Sequence, residues 1–136
     1  MSASYRLNVI TPERQLLDQE VDFITAPGAD GCFGVLPGHA PLVTLLNPGE
    51  LAVGWGEKPN RYAISGGYAE VQPERVTILV ERAVAKADID LKVTQAELEE
   101  AEIEQAKLVP NDPAWNLWEK RRSYANACLE VYRKKE

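Results

Sequence analysis

The side chains of this 136-residue sequence that could act as nucleophiles, bases or metal ligands are few and scattered. The single histidine, His39, has no serine or cysteine at a spacing that indicates a nucleophile and its base. The two cysteines, Cys32 and Cys128, lie far apart and form no zinc motif with one histidine. We therefore predict no catalytic residue, no metal site and no cofactor, and we expect both cysteines to be free thiols.

Two other patterns could carry chemistry, and each has a structural explanation. The run Ser65-Gly66-Gly67 has no strand-to-helix setting and no lysine after it, so a tight β-turn explains it better than a phosphate-binding loop. The adjacent Glu99 and Glu100 are more typical of a solvated helix face than of an acid and base pair. The sequence thus predicts a protein that is not an enzyme by itself.

The composition indicates an ordinary folded protein of about one domain plus an appendage. Hydrophobic residues make up 45% and charged residues 26% of the chain, which is too apolar for a disordered segment. The formal net charge of -6 argues against a nucleic-acid partner, whose binding needs a basic surface. We expect no signal peptide and no membrane-spanning segment, because no apolar run approaches the length that either requires.

The first two thirds of the sequence consist of short stretches of alternating polarity separated by glycine and proline. This pattern is typical of an antiparallel sandwich or barrel. In the first stretch, Tyr5, Leu7 and Val9 share one face, whereas Arg6 and Asn8 lie on the other, which is expected to be wet. Further strands are predicted near residues 21–26, 33–36, 42–46, 50–55, 61–65, 68–72 and 75–80.

The last third of the sequence contains no glycine, and its apolar residues recur about every 3.5 positions, as in helices. Residues 94–97 (TQAE) have the form of a capping box, which predicts a first helix over about 95–108. Asp112 and Pro113 predict the N-cap and the first position of a second helix over about 113–134.

The predicted fold is α+β with segregated domains: an antiparallel β-sandwich over residues 1–86 and an antiparallel two-helix hairpin over 87–136. Residues 94–109 carry five acidic and one basic side chain, and residues 113–136 carry six basic and three acidic ones. Exposed ion pairs stabilise little, so we expect a hairpin that can leave its sandwich. The apolar stripes available for packing are Leu91, Leu98, Ala101 and Leu108 on the first helix, and Leu117, Trp118, Tyr124, Ala125, Cys128, Val131 and Tyr132 on the second.

Five segments, taken in order, give the chain a specific resemblance. They are 5–14 (YRLNVITPER), 31–42 (GCFGVLPGHAPL), 47–51 (NPGEL), 64–71 (ISGGYAEV) and 76–80 (VTILV). Together with the sandwich-then-hairpin plan, the chain resembles the epsilon subunits of F-type ATP synthases, whose mitochondrial counterparts are called delta. The resemblance covers residues 1 to about 90 by motif and the hairpin by architecture.

The resemblance implies a noncatalytic subunit of the central stalk, which couples proton flow through the c-ring to ATP synthesis in the catalytic head. The sandwich would bind the gamma subunit and rest on the c-ring, and the chain would meet the membrane only through the complex. It would lie at the cytoplasmic face of a bacterial inner membrane, with an organellar or thylakoid membrane as the alternative. The residues that match the segment facing the ring and gamma are Gly31, Cys32, His39, Ala40 and Pro41.

The resemblance also implies a regulatory role for the hairpin. In bacterial members of the family, the helices can extend along gamma and contact the alpha and beta subunits, which restrains ATP hydrolysis. The basic charge of the second helix would suit an acidic receiving surface, and a solvated helix face is the alternative. The residues assigned to this contact are Arg121, Arg122, Ser123, Arg133 and Lys134, with Lys120 and Lys135 adding to the charge.

Some members of the family bind ATP on the folded hairpin through a motif of the form Ile/Leu-Asp-x-x-Arg-Ala. Ile89 and Asp90 match its first two positions. Val93 and Thr94 stand where the motif has arginine and alanine. ATP binding through Ile89 and Asp90 is therefore expected to be weak or absent.

A second hypothesis comes from a different class of protein. The sandwich could be a free-standing module that binds a small ligand or peptide, with the helical tail as a dimerising hairpin. The two hypotheses differ in oligomeric state, because a stalk subunit is expected to be a monomer when purified alone. Static light scattering would separate them.

Overall fold

The computed structural model describes residues 3–134. Short strands build the N-terminal part and two helices the C-terminal part, which confirms the predicted fold class. The strands are β1 (Tyr5–Ile10), β2 (Gln15–Val21), β3 (Ile24–Gly28), β4 (Gly31–Val35), β5 (Leu42–Leu46), β6 (Gly49–Val53), β7 (Asn60–Ile64), β8 (Gly67–Val71), β9 (Arg75–Val80) and β10 (Ala83–Ala85). A 3-10 turn over Lys86–Asp88 leads to the helices α1 (Leu91–Ala106) and α2 (Pro113–Arg133).

The strands form one continuous sheet that folds into the two halves of a sandwich. Their order is β10-β7-β6-β3-β5-β8-β9-β1-β2, and β4 pairs with β3 outside this path. The halves meet where Gly28 of β3 pairs with Leu46 of β5. One pair departs from the predicted antiparallel arrangement, because β1 runs parallel to β9. The whole chain between these two strands supplies the long connection that parallel neighbours need.

The main core lies between the two halves, because alternate apolar residues of each strand turn inward. Leu7 and Val9 of β1 are fully buried there, as the alternation predicts. The prediction of a wholly wet opposite face is wrong at Asn8, which is buried. Gln15 of β2 donates a hydrogen bond from its side-chain amide to Asn8 Oδ1 over 2.7 Å, so the burial of this polar group is compensated.

The sequence prediction misses the two strands at the ends of the sheet order, β2 and the short β10. It places a single strand over 21–26, where the structure has the end of β2 and the start of β3. β2 carries Asp18 and Glu20, which form ion pairs with Arg6 of β1. Charged residues on an edge strand oppose pairing with other chains, and they also weaken the alternation that identifies a strand.

Helix α1 begins four residues earlier than predicted and ends at Ala106 rather than near 108. Asp90 and not Thr94 is the N-cap, since the Asp90 carboxylate accepts a hydrogen bond from the Val93 N–H over 3.1 Å. Thr94 lies inside the helix, where its hydroxyl donates to the Asp90 carbonyl oxygen over 2.8 Å. Asp caps a helix as well as Thr does, so the earlier start gains a full turn.

Helix α2 begins as predicted and ends at Arg133, one residue earlier than predicted. Asp112 is its N-cap, accepting from the Ala114 N–H over 2.9 Å, and Pro113 is its first residue. The predicted apolar stripe is wrong at two positions, because Leu117 and Tyr132 are 52% and 40% exposed.

The hairpin is attached to the sandwich mainly through α2. This helix packs against β6 and β7, and α1 packs along α2. On β7, Ile64 faces the main core and Ala63 faces the helices, because successive residues of a strand point to opposite sides. The residues buried between α2 and the sandwich form a second cluster, here called the docking core: Ala63, Ile89, Tyr124, Cys128 and Val131, with Val84 at its margin.

Candidate interaction surfaces

The five residues predicted to face the ring and gamma lie in two separate groups. Gly31 and Cys32 begin strand β4, where Cys32 is exposed opposite Pro27. His39, Ala40 and Pro41 follow the other end of that strand. The length of β4 separates the two groups, which is about 13 Å for four steps of about 3.3 Å. The segment is therefore part strand and part turn, not a single loop.

The turn that carries His39 is held by its own backbone and by a neighbouring turn. The His39 N–H donates to the Leu36 carbonyl oxygen, and the Gly38 N–H donates to that of Pro73. Gly38 has a φ of 79°, a left-handed conformation that favours glycine. The His39 Nδ1 lies 2.7 Å from the Ala40 carbonyl oxygen, and since a carbonyl only accepts, the proton is on Nδ1. The turn thus presents a half-buried imidazole in a fixed orientation.

One side chain ties this turn to the core of the sandwich. Tyr5 is almost fully buried, and its hydroxyl donates to the carbonyl oxygen of Val35 over 2.8 Å. Val35 is the last residue of β4 before the turn. Burial raises the pKa of Tyr5 far above its usual range, with the nearby Asp22 carboxylate adding to the effect. The phenol stays neutral and keeps its hydrogen bond at any physiological pH.

A second surface, which the sequence analysis did not identify, is a row of apolar side chains on the outside of the sandwich. Leu45 of β5 pairs with Tyr68 of β8, which pairs in turn with Leu79 of β9. These side chains are 54%, 55% and 47% exposed. Val43, two residues before Leu45, lies on the same side of β5 and is also exposed. We call these four residues the apolar row. Contiguous exposed apolar groups are typical of a protein–protein contact.

The two β5 members of the apolar row could have been found from the sequence by extending the alternation argument. Val43 and Leu45 occupy the outward positions of a strand whose buried end is Leu46. A half-buried strand normally carries polar residues at such positions. The row lies on β5, β8 and β9, whereas α2 packs on β6 and β7. A partner on the row and the docked hairpin therefore occupy different strands.

The basic residues of α2 have different surroundings. Arg122 is half-buried and donates two hydrogen bonds of 2.7 Å to the Glu119 carboxylate. These bonds hold the pKa of Glu119 below its usual range, and Gln105 of α1 adds a hydrogen bond to the same carboxylate. Arg121 lies over the Trp118 ring, with 4.7 Å between its guanidinium carbon and the ring centroid.

The remaining residues assigned to the catalytic-head contact lie further along α2. Ser123 is half-buried, whereas Arg133 and Lys134 are exposed at the C-terminal end of the helix. Lys135 lies outside the described residues. The exposed basic charge is thus carried by Lys120, Arg121, Arg133 and Lys134, and Arg122 is engaged within the hairpin.

The two residues that match the nucleotide motif have structural roles. Ile89 is buried in the docking core, and Asp90 caps α1. The motif position occupied by Val93 is an exposed apolar side chain, which cannot pair with a phosphate. Thr94, at the next motif position, is buried and hydrogen-bonded to the backbone. The local sequence folds as a helix start in which both matching residues serve packing and capping.

Reactive groups are sparse in the part of the chain that the structure describes. Both cysteines are free, with Cys32 exposed and Cys128 buried, and burial raises the pKa of the Cys128 thiol. Residues 3–134 contain no group of three or more side chains that could hold a metal ion. Within the same range, no helix has the length and apolar character to cross a bilayer.

These features define the class of protein as a β-sandwich with an exposed apolar row and a C-terminal helical hairpin docked on its side. Comparison with known families gives a specific assignment, because residues 4–86 match the model described as the ATP synthase delta/epsilon chain β-sandwich domain. The chain belongs to the ATP synthase delta/epsilon family.

The relatives of the chain agree over most of its length. It is 43% identical over 119 residues to the ATP synthase epsilon chain of Geobacter sp. strain M21, covering 88% of this chain and 86% of the relative. It is 40% identical over 131 residues to the epsilon chain of Geotalea uraniireducens, covering 96% and 95%. The resemblance drawn from the five sequence segments is thereby confirmed.

Solved structures with the same fold include subunits of two mitochondrial ATP synthases. A chain of the Euglena gracilis OSCP/F1/c-ring assembly superimposes with a TM-score of 0.75 at 30% identity, covering 96% of this chain and 82% of that one. A chain of the Tetrahymena thermophila central stalk and c-ring superimposes with a TM-score of 0.62. Because its sequence identity is 17%, the second match shows a similar fold and nothing more.

Proposed function

We propose that this chain is a noncatalytic rotor subunit of the central stalk, which couples proton flow through the c-ring to ATP synthesis. The sandwich binds the gamma subunit and contacts the c-ring, and the hairpin restrains ATP hydrolysis by the alpha and beta subunits. The family assignment and the bacterial epsilon-chain relatives support this proposal. They also support a peripheral position at the cytoplasmic face of a bacterial inner membrane, where the chain is held by the other subunits of the complex.

The apolar row is the observation that carries the proposal. A subunit that transmits torque must bind the gamma subunit firmly. An apolar contact that excludes water provides such binding without specific ion pairs. Leu45, Tyr68 and Leu79 lie in register across three strands, so they form a flat surface on a rigid sheet. The row is the place on the sandwich where we expect gamma to bind.

Co-purification with gamma from the same source tests this assignment. Leu45→Ser should weaken gamma binding at least about thirtyfold if Leu45 lies near the centre of the interface. Leu117→Ser is the matched control, because Leu117 has nearly the same exposure, 52% against 54%, but lies on α2. If both variants bind gamma as the wild type does, the row is not the gamma site. If the wild type fails to co-purify, the stalk function is wrong.

The two groups of ring-facing residues support a contact that is distributed along β4. Gly31 and Cys32 at one end, and His39 to Pro41 at the other, lie about 13 Å apart along the strand. Cys32 is exposed and can carry a photoreactive maleimide. In the assembled complex, Cys32 should cross-link to the c-ring or gamma. A cross-link exclusively to the alpha or beta subunits would contradict the contact.

The exposed charges of α2 support the inhibitory role of the hairpin. Arg121, Arg133 and Lys134 place exposed positive charge along α2, which suits an acidic partner and steers docking. Cutting the chain after Ala87 should leave a folded sandwich that still binds gamma, while ATP hydrolysis by the reconstituted head rises. Unchanged hydrolysis would remove the inhibitory role and leave the structural one.

Charge reversal tests whether inhibition depends on the basic residues of α2 or only on the presence of the helices. Arg121→Glu combined with Arg133→Glu should release hydrolysis as the truncation does. Lys92→Glu combined with Lys107→Glu is the control, since it makes the same change in net charge at two exposed lysines of α1 and its C-terminal end. If the control releases hydrolysis equally, the effect reflects net charge and not the α2 surface.

Two other sequence-based expectations follow from the same contacts. We propose that Ile89 and Asp90 bind no nucleotide, because packing and capping occupy them. Isothermal titration with ATP should therefore detect no binding at millimolar concentration. The hypothesis of a dimerising tail gains no support, since Tyr124 and Cys128 already pack on the sandwich.

A further inference from the structure

Arg82 lies in the turn between β9 and β10, and its backbone is fixed from both sides. The Arg82 N–H donates to the Ser65 hydroxyl oxygen over 2.9 Å, and the Ser65 N–H donates to the Arg82 carbonyl oxygen over 2.9 Å. Ser65 directly follows strand β7, which carries the docking core on its outer side. The turn therefore holds Arg82 in a fixed place beside the hairpin.

The side chain of Arg82 reaches both helices. Its guanidinium pairs with the Glu97 carboxylate of α1, with N···O separations of 3.2 and 3.3 Å. The same guanidinium lies over the Tyr124 ring of α2, with 4.3 Å between its central carbon and the ring centroid. An arginine can make both contacts at once, because its planar group forms in-plane hydrogen bonds while its face stacks on a ring.

The two helices depend on this contact to different degrees. Helix α2 buries six residues and supplies most of the docking core. Helix α1 buries only Thr94 and Ala101, and it packs along α2 rather than along the sheet. The pair of Arg82 with Glu97 joins α1 directly to the sandwich. Its loss would release α1 from the sandwich and remove a contact from α2 at the same time.

We propose that Arg82 is a latch that sets how often the hairpin leaves the sandwich, through its joint contact with Glu97 and Tyr124. The latch is partly exposed, with 47% and 36% of the Arg82 and Glu97 side chains accessible. It is therefore weak enough to open and is screened by salt. The latch is a property of the isolated chain, so its test needs no other subunit and is independent of the proposed stalk function.

The chain carries its own probe of hairpin opening. Cys128 lies in the docking core with 4% of its surface exposed, so a thiol reagent reaches it only when α2 lifts. Cys32 is exposed and reacts whether or not the hairpin is docked. The labelling rate of Cys128, normalised to that of Cys32 in the same full-length chain, measures the open population.

Arg82→Gln should accelerate Cys128 labelling about five- to tenfold, the combined effect of a partly exposed ion pair and a cation–π contact. Glu97→Gln should produce part of this increase, and the double variant should label no faster than Arg82→Gln alone, because both substitutions break one contact. Arg6→Gln is the matched control: it breaks an ion pair of similar exposure between β1 and β2, far from the helices, and should leave labelling unchanged.

Two results would overturn the latch. The first is a Cys128 labelling rate in Arg82→Gln equal to that of the wild type. The second is faster labelling accompanied by equally faster hydrogen exchange in β1 and β9, which would mean global unfolding.

Discussion

Gly67 begins strand β8, and the space around it permits no larger residue. A Cβ on Gly67 would overlap the backbone carbonyl oxygen of Leu79 and lie 3.0 Å from the Cα of Val80. Both obstacles are backbone atoms of β9, so no side-chain rotation relieves them. Gly67→Ala must push β8 and β9 apart where Gly67 pairs with Val80. Overpacking of a rigid site costs about 1–3 kcal/mol, and we place this substitution at about 3 kcal/mol.

The neighbouring Gly66 provides the matched control. A Cβ there would lie 3.1 Å from the Leu46 carbonyl oxygen, a contact that a small shift relieves. Neither glycine has a left-handed φ, so alanine is conformationally allowed at both positions. Gly66→Ala should therefore cost less than about 1 kcal/mol, since the lower entropy of its unfolded chain offsets part of the strain.

The free energy of unfolding of both variants can be measured by urea denaturation, followed by circular dichroism at a wavelength that reports β-sheet. With a slope of about 1.5 kcal/mol per molar urea, Gly67→Ala should lower the midpoint by about 2 M and Gly66→Ala by less than about 0.7 M. An unchanged midpoint for Gly67→Ala, or a larger loss for Gly66→Ala, would refute the steric argument. The conclusion that position 67 of the Ser65-Gly66-Gly67 run requires glycine would then be wrong.

Three further predictions concern single hydrogen bonds and titration. Tyr5→Phe removes the bond to the Val35 carbonyl and should lower the free energy of unfolding by about 1–2 kcal/mol in urea titrations; an unchanged value would mean that water replaces the hydroxyl. Burial raises the pKa of Tyr5 and Tyr124, so the fold favours the neutral phenols: their contribution to stability is complete below about pH 10, and the melting temperature should begin to fall near pH 10 and keep falling at higher pH, less so in Tyr5→Phe. Asp112→Ala removes the cap of α2 and should cost about 1 kcal/mol in thermal melts, whereas Asp112→Asn should cost little; equal losses would assign the effect to charge.

The fold class could be predicted from the sequence because its two halves use different periods. The alternation of Tyr5, Leu7 and Val9 identifies β1, and Asp112 followed by Pro113 identifies the start of α2. Each of these signals lies within one element. β2 and the parallel pair of β1 with β9 could not be predicted, because edge position and strand neighbours depend on residues distant in the chain.

The candidate surfaces were predicted less completely than the fold. The ring-facing residues came from family resemblance, and their division between the two ends of β4 needed the strand to be located. The apolar row needed strand register as well, because Leu45, Tyr68 and Leu79 are distant in sequence and become neighbours only across β5, β8 and β9. The contact of Arg82 with Glu97 and Tyr124 joins three elements, and no local pattern encodes it.

The composition of the docking core explains how the hairpin can separate from the sandwich. The strands contribute Ala63 and Val84, which are small, whereas α2 contributes Tyr124, Cys128 and Val131. When the helices lift, Tyr124, Cys128 and Val131 of α2 lose their cover and become accessible to water, which costs hydrophobic free energy. An open hairpin therefore needs an apolar surface that receives the buried side of α2, in addition to acidic groups for its basic residues. This requirement predicts that salt alone opens the hairpin only partially, because salt weakens the Arg82 pair but leaves the docking core intact.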